Sequence, residues 1–498
     1  MTDGALSRPA LSFGVKLAYG AGQFAEGLKN GALGAFVIFY YSQVLGMSAT
    51  LAGIAVGTAL LIDALTDPIA GSLSDRWRSK WGRRHPFMLA SMLPLAVSFF
   101  CLFAPPVRGD WALFAWLVLW VNIVRTAMTM YHVPHLALGA ELTNEFSERA
   151  SLVGFRMFFN IIGGYSATMI GFQFFFAPTG QNTVGQLNQA AYAPFAATLG
   201  VLMVASICWS AWGTRKFIPF LSIPPESPHK SITAVLVHTF RDVIAAVQQP
   251  NFAWLFSGVL LVYLMIGTNG ALDIYMYTYF WEFTNTEVVV LTPFYPIGVV
   301  IGMLAGPAFQ RRFGRRGALL FGTVSWAMLQ ALPVTLRLAG WFPDNSSETL
   351  VPLLATLRVL QGAGAIQANV AFGSAIADIA DENELRTGRR QEGIFFSASS
   401  FSGKFASGIG SAIAGFALAI IQFPRGPAVR SAADVSPDAI FNLGLVFGPI
   451  VVGFSVFTYW CYSHYGLTRQ RHQAILEELA RRKSRQDPGR ASEEPVQT

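Results

Sequence analysis

The stretch ATLAGIAVGTALLIDALTDPIAGSLSDRWRSKWGRR, residues 49–84, holds side by side the features that decide the fold. Residues 50–74 are apolar over a length that crosses ~30 Å of hydrocarbon. Arg76, Arg78, Lys80, Arg83 and Arg84 then crowd the following loop, the mark of a membrane helix whose end faces the cytoplasm. Inside the apolar run sit Asp63 and Asp67, one helical turn apart and several turns from the basic loop. A charge at that depth costs at least ~2.5–3.5 kcal/mol on insertion scales, so two of them together need water, a partner or a task.

The rest of the chain repeats the first of these features. Of 498 residues, 53% are hydrophobic and 13% charged, against roughly 25% charged in an ordinary soluble domain. The apolar residues gather into blocks that predict twelve spans, near 14–42, 50–74, 85–106, 110–139, 150–175, 190–213, 251–280, 284–308, 317–340, 349–378, 390–422 and 439–462. The 47 Gly and 26 Pro fit such a bundle, because small residues let membrane helices approach closely and neighbours re-satisfy broken backbone bonds. The expected fold class is therefore an all-α polytopic membrane protein. Cys101, Cys208 and Cys461 all fall in predicted spans, so no extracellular disulfide framework is expected. The first fourteen residues lack the apolar core and cleavage site of a signal peptide, so the first span is read as a retained helix.

Charge bias gives the orientation. Arg311, Arg312, Arg315 and Arg316 follow the eighth span as the first basic cluster follows the second, and the loops on the other side carry few basic residues. Both termini are then expected in the cytoplasm of a cell-membrane protein. The net charge of +7 reflects this bias plus a basic tail, for which anionic lipid headgroups are expected partners and nucleic acid is not. Residues 467–485 could form an amphipathic helix, and the last dozen read as disordered.

Two motifs recur in the same order. Trp81-Gly82-Arg83-Arg84 has a counterpart, Phe313-Gly314-Arg315-Arg316, at an offset of 232; Ala140-Glu141 with Arg149 matches Ala377-Asp378 with Arg386 at 237. Paired repeats at nearly one offset indicate two six-helix, pseudo-symmetric halves, the architecture of major facilitator carriers. The expected organisation is a cytoplasmic N-terminus (1–13), a first half (14–213), a cytoplasmic linker (214–250), a second half (251–462) and a basic cytoplasmic tail (463–498).

Chemistry is sought among the buried charges. Asp63 and Asp67 with Thr66 form one oxygen-rich site, and hard cations such as Na⁺ prefer such ligands. Two carboxylates this close repel unless an ion or proton joins them. Lys404, amid small residues in the eleventh span, could neutralise the pair from the other half. Glu26, Lys29, Arg125, His132, His135, Arg156, Asp273 and Arg358 complete the intramembrane set. Of these, Lys29, Arg125 and Arg358 read as snorkelling or structural salt bridges, and His135 as a packing residue. The GAGQFA run at 20–25 follows no strand and reads as close helix packing rather than a dinucleotide fingerprint. No HExxH, GxSxG or P-loop is present, so the chain is read as no enzyme and no ATP-driven pump, and transport must draw on a gradient. No cofactor is expected; the coupling ion is Na⁺ or H⁺, and no metal site beyond that possible Na⁺ is expected.

The segments KLAYGAGQFAEGLKNG (16–31), FYYSQVLGMS (39–48), residues 62–88, MYHVPHLALGAELTNEFSERASLVGFRMFFN (130–160) and GSAIADIADENELRTGRRQEGIFFSASSFSGKFA (373–406) resemble glycoside-pentoside-hexuronide:cation symporters of the melibiose permease type. The resemblance spans both halves. It implies a cation site at Asp63, Asp67 and Thr129, with Thr66 where a relative carries asparagine. It also implies that Arg156 and Lys404 shape the central cavity, and that Glu26 and His132 lie where sugar-binding aspartates are found, the first of which aligns with the neighbouring Gly27. The expected function is cation-coupled symport of a small solute, a sugar, glycoside or uronide, through alternating access by one chain. Two alternatives stay open: an amphipathic solute such as a lysolipid, carried by animal members of the family, and a non-transporting membrane receptor of the same fold.

Overall fold

The computed structural model describes residues 11–143, 145–179, 184–221, 244–388 and 392–486, together with 237 and 241. Helices dominate and no strand occurs among these residues. Lipid offers backbone groups no partner, so each crossing segment must close its own hydrogen bonds. The crossing helices are α1 (Phe13–Phe39, prolonged by a π-turn, Tyr40–Val44), α2 (Ala49–Arg76), α3 (His85–Leu102), α4 (Asp110–Leu142), α5 (Phe146–Ile170, with a π-turn Gly171–Phe175) and α6 (Tyr192–Thr214). Then come α7 (Pro250–Tyr275, with a π-turn Met276–Phe280), α8 (285–313), α9 (315–338), α10 (Leu350–Thr387), α11 (Glu392–Ile420) and α12 (Pro437–Ser463).

Helices α8 and α9 run on as one rod except at Gly314, whose φ of 70° and ψ of 174° break the helix between two spans. Gly82, its counterpart in the repeated motif, also has a positive φ, 74°. A side chain there would meet the strain of the left-handed region, so glycine is required at both turns. The arginines that follow are used alike. Arg83 and Arg84 reach Glu141 at 2.7 and 2.9 Å, and Arg315 pairs with Asp378. The repeat seen in the sequence is thus one loop-to-helix latch made twice.

Packing repeats in the same way. In the first half α1 packs on α5 and α6, α2 on α4, and α3 on α4 and α6; in the second α7 packs on α11 and α12, and α8 and α9 on α10 and α12. Between halves, α2 runs along α11 and α1 touches α7. Small residues permit the first contact: a Cβ on Gly408 would stand 2.9 Å from Leu60 Cβ and 3.0 Å from the Gly57 carbonyl. The GAGQFA run also serves packing, since a Cβ at Gly22 would collide with the Tyr131 hydroxyl.

The surface is that of a protein in lipid. Leu93, Leu304 and Val201 are 72%, 81% and 67% exposed, which water would penalise. Trp111 and Trp341 ring the end away from the basic loops, and Trp77, Trp81 and Trp212 the basic end, as interfacial aromatics do.

The end away from the basic loops is where the halves close. Phe39 packs on Tyr275 at 5.1 Å, and Phe423 on Tyr275 and Tyr279 at 5.6 and 5.2 Å. Gln43 donates to the Pro424 carbonyl (3.0 Å) and accepts from Tyr279 (2.9 Å); Gln186 donates to Thr278 (2.8 Å), and Asn285 to the carbonyls of Phe172 and Phe176.

The linker expected at 214–250 lies mostly outside the described residues, which show a 3₁₀ segment, Arg215–Phe220, at its start. The expected amphipathic tail is helix α13, Arg469–Gln486. It is tied to the end of α10 by His472 to Asp381 (3.0 Å) and Asp378 (3.3 Å) and by Arg471 to Glu382 (3.1 Å). The dozen residues expected to be disordered lie outside the described part.

Candidate cation and substrate site

Midway along α2, Asp63 and Asp67 point toward α4 and α11 rather than to lipid. The Thr129 hydroxyl of α4 stands 2.7 Å from Asp63 Oδ1 and 3.1 Å from Asp67 Oδ1, so one hydroxyl spans both carboxylates. It has a single proton to donate and shares it between them. Lys404 Nζ of α11 lies 2.5 Å from Asp67 Oδ2 and 3.1 Å from Asp63 Oδ2, joining the pair across the two halves. Arg125, on α4 one turn before Thr129, reaches Asp63 at a longer 3.4 Å.

The two carboxylates differ in access. The Asp63 side chain is 5% exposed and that of Asp67 is 27% exposed. Pro68 follows directly and lacks an N–H, which frees one backbone carbonyl in the preceding turn of α2. Carboxylate and hydroxyl oxygens of Asp63, Asp67 and Thr129 converge here, with the Lys404 ammonium and the Arg125 guanidinium set against them.

Thr66 lies between the two aspartates in the sequence of α2. Its hydroxyl donates to the backbone carbonyl of Asp63 at 3.1 Å, the back-bond that a helical threonine makes when nothing better is in reach. Arg125, read from the sequence as snorkelling or a structural salt bridge, makes such a bridge, and its partner is Asp63 itself, a contact between helices that no sequence spacing reveals.

The expected solute residues divide. Glu26 on α1 accepts from Lys29 (3.1 Å) and Asn30 (2.9 Å), while its second oxygen is buried with no protein partner among the described residues. His132 Nδ1 meets Gln23 Nε2 at 3.1 Å. Glu26, His132 and Lys404 share one electrostatic neighbourhood. Arg156 does not make a contact with that group; it lies against the Tyr19 hydroxyl, nearer the basic end. His135 is fully buried, stacked on Tyr19 with ring centroids 4.5 Å apart and bonded to the Tyr19 carbonyl, a packing residue as expected.

Charge is matched at the centre: Asp63, Asp67 and Glu26 face Lys404, Arg125 and Lys29. Buried charges persist only when so paired. An added monovalent cation unbalances the group by one charge.

Known proteins share this build. The profile of the MFS/sugar transport protein family matches residues 18–469. An uncharacterized symporter of Synechocystis sp. is 25% identical over 545 aligned positions, covering 96% of this chain and 98% of its own. The isoprimeverose transporter of Lactiplantibacillus pentosus is 23% identical, with 81% of this chain and 79% of its own covered. Among solved structures, a variant of the nucleoside transporter NupG superposes with a TM-score of 0.62 at 16% identity, over 91% of this chain and all of that one, a likeness of fold. With a profile match across both halves and all twelve crossing helices, the chain belongs to the MFS/sugar transport protein family.

Proposed function

We propose that this protein is a cation-coupled symporter that carries a neutral sugar or glycoside across the cell membrane by alternating access. The observation that carries the reading is the bridge from Lys404 on α11 to both Asp63 and Asp67 on α2. The family's description as sugar transport and the names of relatives, a symporter and an isoprimeverose transporter, support the same class.

In this account the ion enters at Asp67, the more open carboxylate, and is held by Asp63, Asp67 and Thr129. It displaces the Lys404 ammonium, which turns toward the solute between the halves with Glu26 and His132. Arg156 acts at the mouth of the path. With the ion held by the carboxylates and the solute bound between the halves, the loaded carrier rocks about the α2–α11 seam. The basic loops face the cytoplasm with both termini, so the closed aromatic end is the outer gate.

The test is a thermal-stability screen of purified protein against neutral glycosides, uronates and lysolipids, each with and without Na⁺ and at several pH values. A neutral glycoside whose stabilisation grows with Na⁺ or with proton concentration is expected. Stabilisation by lysolipids alone would replace the sugar reading, and ion-independent binding would remove the coupling.

A further inference from the structure

A polar cavity lies away from the central site, toward the closed end. Its volume is about 120 Å³, against the ~10–15 Å³ one water needs, so it has room for a ring-sized polar group. It is built mainly by α7, α8, α9 and α10, and α5 closes it from the other half with Tyr165 and Thr168.

Two opposite charges line it. Asp273 of α7 and Arg358 of α10 act on one another electrostatically, with Tyr165, Tyr277 and Tyr295 in the same field. Neither charge is consumed by the protein. Among the described residues no side chain hydrogen-bonds the Asp273 carboxylate. Among the described residues Arg358 makes only long hydrogen bonds, 3.4 Å to Gln361 Oε1 and 3.4 Å to the Tyr277 hydroxyl. A carboxylate and a guanidinium facing a cavity without close partners leave most of their hydrogen-bonding capacity for something else. Desolvating both at that depth without such a partner is unfavourable.

The chemistry of the occupant follows from the pair. A carboxylate accepts two hydroxyl donors and a guanidinium donates to hydroxyl oxygens, so vicinal hydroxyls satisfy both at once. Tyrosine hydroxyls at the wall add donors and acceptors, and their rings cover the apolar face of a sugar. An anionic group would meet the Asp273 carboxylate, and a cation would meet Arg358. Counting 1.5 Å per residue from the helix ends, Asp273 stands about 10–15 Å closer to the sealed end than the Asp63 and Asp67 pair. The cavity is thus a separate place on the same axis.

We infer that Asp273 and Arg358, with Tyr277, form a subsite for a neutral polyhydroxylated ring of the carried solute. The inference rests on the sugar-carrier reading, and the experiment separates the two. Calorimetric binding of neutral methyl glycosides and disaccharides, and of the matching glucuronides, is measured on the full chain in nanodiscs. The proteins are the wild type, D273N, R358Q and Y277F, with Na⁺-induced thermal stabilisation recorded on each.

The subsite predicts that the best neutral ligand of the wild type binds at least tenfold more weakly to D273N and R358Q, the scale of a lost charge-assisted hydrogen bond. Y277F, which keeps the ring and its packing, should show a smaller loss. The Na⁺ response should stay at the wild-type level in all three. A deoxy analogue that binds the wild type weakly should lose nothing further in D273N. Wild-type affinity in D273N and R358Q overturns the subsite. So does a glucuronide preference that depends on Arg358 alone, or a joint loss of sugar and Na⁺ responses, which would mark structural residues. If no sugar binds the wild type, the carrier reading fails and the subsite with it.

Discussion

One hydroxyl and one ammonium turn two aspartates into a site. Thr129 and Lys404 each touch both carboxylates, at 2.7 and 3.1 Å and at 3.1 and 2.5 Å for Asp63 and Asp67 respectively. Thr129→Ala removes an oxygen ligand without adding charge, and should weaken the Na⁺- or H⁺-dependent stabilisation about tenfold in apparent affinity, as for one lost hydrogen bond to a charged group. Thr66→Ala should leave that titration unchanged, because its hydroxyl serves the helix backbone. Lys404→Gln should tighten ion binding while lowering solute affinity, since the competing ammonium is gone; weaker binding of both would contradict the exchange. At this scale the acid pair and Lys404 were legible because charges are conspicuous in apolar spans. Thr129 entered only through resemblance, for a threonine in a helix announces nothing. Arg125 is legible as a salt-bridging residue, but its partner Asp63 is not, because a contact across helices leaves no mark in spacing; the back-bond of Thr66 leaves none either.

Among the elements, the loop after α2 and the loop after α8 are the same device. Each carries a left-handed glycine and, directly after it, arginine that reaches an acid at the end of α4 or α10. Gly82→Ala should cost about 1–2 kcal/mol through the left-handed backbone, read as reduced thermal stability with unaltered ion affinity. The α2–α11 seam is more demanding, since a Cβ on Gly415 would collide with the Ala49 carbonyl. Gly415→Val should push the halves apart at the closed end and raise labelling of cysteines introduced there. Span ends were the least legible part. The tenth span was expected to end near 378, yet α10 continues to Thr387, because DENELRT is a good helical sequence that carries on beyond the apolar stretch. The break between α8 and α9 was legible from its basic cluster, although the helix hardly pauses there. The tail helix was legible as amphipathic, but its docking on Asp378, Asp381 and Glu382 was not.

For the whole molecule, the halves meet firmly at one end and through one charged bridge at the centre. The closed end is held by neutral hydrogen bonds, aromatic contacts and one exposed ion pair, Arg425 to Asp110 at 3.2 Å, each worth on the order of 1 kcal/mol or less, so it can open without great cost. Gln43→Ala with Tyr279→Phe removes the bonds between α1, α7 and the loop after α11. The double variant should increase labelling of outer-end cysteines by a membrane-impermeant maleimide; unchanged labelling would mean that this end is not the gate. Twofold architecture was readable from the repeated motifs, whereas the polar cavity was not, since Asp273 and Arg358 are 85 residues apart and meet only when α7 and α10 pack. The most direct test of coupling is uptake into proteoliposomes of a neutral glycoside under an imposed Na⁺ or pH gradient, comparing the wild type with Asp67→Asn. The wild type should accumulate solute above equilibrium and the variant should not, though it inserts and folds. Equal accumulation by both would contradict the account.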